Sequence, residues 1–259
     1  MNEIEYRNNP AVNKSTLWEM RKSPLHYWHL MHDTPKEDTK AMQFGRAVHS
    51  RLLQPASFDA EYAVAPECDR RTKEGKAIWN ELLASGKEVI SQADMDIINA
   101  MQAEYIRTIY YSGDKDWWKI IDSEVPLFWT DDETGIECKA RLDLLAQDYV
   151  IDYKTTMDAS TNAFHREALR YGYDLQAAMY MEAARANGYN PKGFIFIAQE
   201  KNAPYMINIL YASDAFLDRG RWIMRDLLAQ YKECRDSNNW PGYGVNQLIL
   251  NEWEVMGDE

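Results

Sequence analysis

Cysteine is scarce in this sequence: three residues (Cys68, Cys138, Cys234) lie far apart, with no C-x-x-C pair. That argues against structural disulfides and leaves too few thiols for a four-cysteine iron–sulfur cluster. No apolar run reaches the length of a membrane span, and the polar start MNEIEYRNNP is not that of a secretory leader. No internal repeat or long low-complexity run is present. A surplus of positive charge is missing too, since 29 Lys and Arg face 41 Asp and Glu for a net charge of −12. Affinity for nucleic acid comes mainly from neutralising phosphates, so this balance argues against a passive nucleic-acid coat. It leaves room for an enzyme whose basic residues line one groove while its acids hold metal. The expectation is a soluble, cytoplasmic protein with no membrane association.

What is present is 259 residues, 46% of them hydrophobic, enough for one sizeable core. The expected organisation is a single domain over 1–259, with a mainly helical part (1–113) and a sheet with flanking helices (114–259). In the first part, STLWEMRKSPLHYWHLMHD has Ser15 as a candidate N-cap and is broken by Pro24. KAMQFGRAVHSRLLQP has helical spacing up to Pro55, TKEGKAIWNELLASG runs from a Thr72 cap to Gly86, and the helix opening at Ser91 stops at Gly113. From residue 123 onward SEVPLFW, CKARLDLLA and YVIDYKTT read as three antiparallel strands divided by DDETG and AQDY. Two helices, two more strands (GFIFIAQ, apolar enough to be central, and YMINILY) and a long helix capped by Ser213 complete an α/β pattern of helices on a mixed sheet.

The chemistry concentrates in ARLDLLAQDYVIDYKTT. A turn centred between Gln147 and Asp148 pairs 144 with 151, 143 with 152, 142 with 153 and 141 with 154. Leu142, Leu144, Ile151 and Tyr153 then share one face, and Arg141, Asp143, Asp152 and Lys154 the other. Facing carboxylates repel unless a cation lies between them, and a divalent ion with oxygen ligands fits that role. Lys154, one repeat further along, is near enough to orient a water on such an ion. An exposed face of ordinary ion pairs fits the same pattern.

The segment resembles the PD-(D/E)XK nuclease signature, and the resemblance extends along the chain. Gln176 and Tyr180 match a Q-x-x-x-Y helix, FGRAVHSRLLQP a G-x-x-x-H helix carrying His49, and SEVPLFW an acidic strand carrying Glu124. With STLWEMRKSPLHYW and RRTKEGKAIWNE, these motifs follow the order of the RecE-type exonuclease VIII catalytic domain and its phage relatives, though only the catalytic portion of the long bacterial enzyme. The resemblance implies a restriction-endonuclease-like mixed sheet flanked by helices, and His49, Asp143, Asp152 and the Tyr153 carbonyl as metal ligands. Glu124, Lys154, Gln176 and Tyr180 complete the implied catalytic set. One or two Mg²⁺ per site, with Mn²⁺ as substitute, would serve 5′-to-3′ digestion of double-stranded DNA ends to mononucleotides. It further implies a ring-shaped homo-oligomer and a single-strand annealing partner in homologous recombination. Alternatives from other classes are an endonuclease or nuclease subunit of a defence system, and a non-catalytic DNA-binding subunit.

Arg141 and Lys139, on the active face, are candidate phosphate contacts, as are Arg46 and Arg71. The basic start DRRTKEGK reads equally well as a solvated helix terminus. His26, His29 and His32 recur every three residues but lack the neighbouring ligands a zinc site needs. Trp117 and Trp118 are candidates for packing or an oligomer contact.

Overall fold

In the computed structural model, which describes residues 3–32, 38–111 and 119–248, the organising element is strand β6 (Gly193–Glu200). Phe194, Phe196 and Ala198 enter one core while Ile195 and Ile197 enter another. A strand buried on both faces reads as a continuous apolar run, which is why GFIFIAQ shows no polar alternation. It lies within a five-stranded mixed sheet ordered β3 (Ile120–Thr130), β4 (Glu137–Ala146), β5 (Tyr149–Thr156), β6, β7 (Ile207–Tyr211). The β5–β6 pair is parallel and its neighbours antiparallel. The parallel pair needs a crossover, supplied by α8 (Thr161–Tyr171) and α9 (Tyr173–Ala186), with Gly172 in the left-handed conformation between them (φ 67°).

Helix α9, the long α10 (Asp214–Ser237), α2 (Lys14–Glu19) and α3 (Pro24–His32) cover one face, with Leu175, Met179, Met224, Leu17 and Tyr27 in its core. The other face is covered by α4 (Lys40–Leu53), α5 (Pro55–Glu61) and α7 (Gln92–Tyr111), through Val48, Phe58, Ile98 and Met101. The helical breaks at Pro24 and Pro55 and the caps at Thr72, on α6 (Lys73–Ala84), and Ser213 lie where expected. The first helix of the motif STLWEM is capped not by Ser15 but by Asn13, whose side chain and Thr16 form a reciprocal capping box. The mainly helical first part also holds β1 (Tyr62–Val64) and β2 (Glu88–Ile90), a small parallel pair. Gly113, Trp117 and Trp118 lie outside the described residues. Among the described residues no helix is long and apolar enough to cross a membrane.

The hairpin register agrees with the reading for Leu144–Ile151 and Leu145–Val150, where the β4–β5 ladder ends. The expected pairs 143–152, 142–153 and 141–154 do not form as ladder pairs. Instead the Tyr153 N–H donates to the Asp143 carboxylate at 2.8 Å, and the strands part there. The expected apolar face is also revised: Leu144, Ile151 and Tyr153 enter the α4/α7 core, but Leu142 enters the α9 core. Alternation along β4 breaks at Asp143, opposite Glu124, whose φ of 52° interrupts the facing strand.

Candidate metal centre and cleft

Where β4 and β5 part, Arg141, Asp143 and Lys154 line an open cleft of about 1400 Å³. Three layers contribute to it. Glu124 comes from β3, Asp143 from β4, Lys154 from β5, His49 from α4 and Gln176 and Tyr180 from α9.

His49 Nδ1 lies 3.7 Å from Asp143 Oδ2 and 3.8 Å from Glu124 Oε1. Its Nε2 meets the Tyr153 carbonyl at 2.9 Å. One ligand atom each from His49, Glu124 and Asp143 falls within 4.8 Å of the others. An imidazole nitrogen with carboxylate oxygens at that separation suits a divalent cation, so the donor set fits the ion that the motif implies. Burial opposes a charge on His49, but Asp143 and then Glu124 outweigh it and raise the imidazole pKa. Burial raises Asp143 as well, against the pull of His49 and Lys154. Glu124 reaches the cluster from a left-handed backbone that costs a non-glycine residue on the order of 1–3 kcal/mol, a strain typical of functional positions.

Asp152 is fully buried and stands beside this trio rather than in it. Its Oδ1 accepts from Gln176 Nε2 at 2.6 Å, and its Oδ2 lies 2.6 Å from Lys154 Nζ. Burial pushes its pKa up to about 6, the Lys154 charge opposing and the Asp143 charge adding. Burial likewise disfavours the Lys154 ammonium, but Asp152 and Asp143 prevail and raise its pKa. The two carboxylates expected to confront each other thus have different partners: Lys154 and Gln176 for Asp152, His49 and the Tyr153 N–H for Asp143. Tyr180 keeps its proton, since burial and then Asp152 and Asp143 raise the phenol far above its ordinary value.

The candidate phosphate contacts divide. Arg141 lies on Glu124 at 3.3 Å and over the Tyr6 ring, beside the centre. Arg46 lines the cleft but is paired with Asp38 and with Glu88 at 3.2 Å. Lys139 is 3% exposed and donates to the carbonyls of Tyr6, Arg7 and Asn9, tying down the end of α1 (Glu3–Asn8). Arg71 is exposed, pairs with Asp69 at 3.0 Å and does not line the cleft. His26 bonds Ser23 and His32 stacks on Trp28, as packing residues do. Sequence reasoning missed Lys14, which the fold brings to the cleft wall from the position just before the first motif. No period marks it, and its position depends on contacts 157 residues away.

A mixed sheet with helices on both faces, and Asp143, Asp152 and Lys154 at its parted strands, defines a PD-(D/E)XK nuclease fold. The chain belongs to the family described as a PDDEXK-like domain of unknown function (DUF3799), whose model matches residues 14–249. Among solved structures it is similar to a putative exonuclease from Eubacterium rectale, at 15% identity and a TM-score of 0.63, over 99% of this chain and 98% of that one. A weaker likeness, with a TM-score of 0.32 at 15% identity, joins 74% of this chain to 96% of an alkaline exonuclease from Laribacter hongkongensis. No curated protein matches the sequence.

Proposed function

We propose that the protein is a metal-dependent nuclease that degrades double-stranded DNA from its ends. The observation that carries this reading is the pairing of Lys154 with buried Asp152 directly beside the His49, Glu124 and Asp143 donors. Those three, with Asp152 and the Tyr153 carbonyl alongside, are the groups that would hold Mg²⁺, or Mn²⁺ in its place, as one or two ions. When bound, the cation supplies Lewis-acid activation of a phosphate and of a water. The chain's own residues do the rest. Lys154 orients the attacking water and meets developing negative charge, Gln176 fixes the Asp152 carboxylate, and Tyr180 braces the same wall as a neutral phenol. Arg141, held against Glu124, is placed to contact a phosphate of the cut strand.

The resemblance to RecE-type exonuclease VIII supports a finer reading: one nuclease domain spanning the chain, acting in the cytoplasm, 5′-to-3′, with mononucleotide products and an annealing partner in recombination. A ring-shaped oligomer answers the net charge of −12, because enclosing the duplex replaces general attraction. The test is digestion of linear and covalently closed duplex with Mg²⁺, Mn²⁺ or chelator. Metal-dependent loss of linear DNA with the circle spared is expected; cutting of the circle favours an endonuclease. Salt given before DNA should inhibit an enclosing ring far more than salt given to a running digestion.

A further inference from the structure

Of the basic side chains named around the cleft, Arg46, Arg141 and Lys154 each face a carboxylate, and Lys139 is spent on backbone carbonyls. Lys14 differs. It opens α2, donates to the Tyr171 carbonyl at 2.5 Å, and has no carboxylate within ion-pair distance among the described residues. Its Nζ lies 5.6 Å from the ring centroids of both Trp18 and Tyr173, while Lys154 Nζ lies 5.0 Å from the same Tyr173 ring. One aromatic ring therefore carries two ammonium groups on the wall beside the metal centre.

The wall is held in shape. Arg21 stacks over Trp18 at 4.5 Å, and a Cβ on Gly172 would fall 2.4 Å from the Trp18 ring, so the α8–α9 junction presses directly on the indole. Burial, and then the Lys154 charge, lower the Lys14 pKa to about 8, with the Asp152 charge opposing. A half-buried cation with no carboxylate in ion-pair contact, and with the charge of nearby Asp152 already paired to Lys154, is an arrangement that an arriving anion relieves. In a chain of net charge −12, such a cation in the main cleft is a place for a ligand's negative charge.

We propose that Lys14, seated on the Trp18 and Tyr173 rings, is a binding subsite for an internal backbone phosphate of the substrate strand, next to the phosphate being cut. This rests on the nuclease reading. The aromatic rings keep the ammonium in place, and Lys154, across Tyr173, serves the neighbouring phosphate.

The experiment measures binding rather than cleavage. Fluorescence anisotropy of a labelled duplex, with Ca²⁺ present to allow binding without turnover, compares the unmodified protein with Lys14→Gln and Lys14→Arg. Removing one charge-assisted contact should weaken binding about tenfold and lower the slope of log affinity against log salt by about 0.9. Lys14→Arg should stay close to the unmodified protein. Lys14→Met, which keeps the stem, replaces Gln should that variant fail to fold. Unchanged affinity and slope in the neutral variants overturn the subsite, as does an Arg variant as weak as Gln, which marks a packing role. Duplexes with and without 5′ phosphate should lose affinity equally; a loss confined to phosphorylated ends assigns Lys14 to a terminal phosphate and overturns the proposal. If the unmodified protein binds no duplex, the nuclease reading itself fails and the subsite with it.

Discussion

Asp143 grips Tyr153 by its backbone: the carboxylate takes the Tyr153 N–H at 2.8 Å, while the carbonyl of that residue meets His49 at 2.9 Å. One peptide segment thereby connects two candidate ligands, and Asp152 and Lys154 stand on either side of it.

Asp152→Asn keeps the size of the side chain and an oxygen for Gln176, but removes the charge facing Lys154. Cleavage should fall at least about a hundredfold, the scale seen when a key electrostatic group is lost, with circular dichroism unchanged. Near-normal Mg²⁺-dependent cleavage by this variant would remove the catalytic assignment.

Divalent ions should stabilise the protein by mass action, by about 2.7 kcal/mol at a hundredfold excess over Kd. For a chain of this size that corresponds to a rise of roughly 5–10 °C in melting temperature. Asp143→Asn and His49→Ala should lose most of this shift in calorimetry, and Arg71→Ala should keep it. An equal shift in all four proteins places the ion elsewhere.

Without metal, the pH dependence has a definite sign. Asp143, Asp152 and His49 all have pKa values raised by folding, so the folded state holds protons that the unfolded state releases. Their contribution is fully present below the ordinary carboxylate value and is lost as pH rises through the folded values, about 6 for Asp152. In chelator, urea denaturation should therefore show stability falling between pH 4 and 7, by on the order of 2 kcal/mol from Asp152. Asp152→Asn should flatten that slope. With metal bound the trend should reverse, because ligation requires the deprotonated groups.

Gly220 on α10 lies against α9 so closely that a Cβ there would fall 2.0 Å from the Asp174 carbonyl. Backbone, unlike a flexible side chain, cannot yield. Gly220→Ala should cost about 1–3 kcal/mol and, by moving the α9 turn that carries Gln176, slow cleavage. Denaturant midpoints and rates measured together test this, and wild-type values for both would show the helix crossing to be slack.

Much of the sheet was legible because apolar alternation and turn residues set it locally. The Leu144–Ile151 register follows from AQDY, and β6 announces its two covered faces by having no polar position. The site residues were legible as motifs, but their division of labour was not. A carboxylate taking a backbone N–H at a strand pair's parting, and a left-handed φ at Glu124, leave no mark on periodicity. The same is true of Lys14 and of the three-residue strands β1 and β2, which pair across 26 positions. Lys139 looked like a cation for the groove because nothing in the sequence shows that the carbonyls ending α1 would claim it.

The contact between His49 and Tyr153 spans 104 residues, and β5 finds its parallel neighbour only when Gly193–Glu200 has been made. At synthesis rates of about 5–20 residues per second, roughly 7–30 s separate the emergence of the histidine from that of β6. Late in that interval, once residue 153 has been made, the nascent chain carries every ligand while β5 still lacks its parallel neighbour. A chain cut short before β6 leaves the strand that carries Asp152 and Lys154 without its parallel partner.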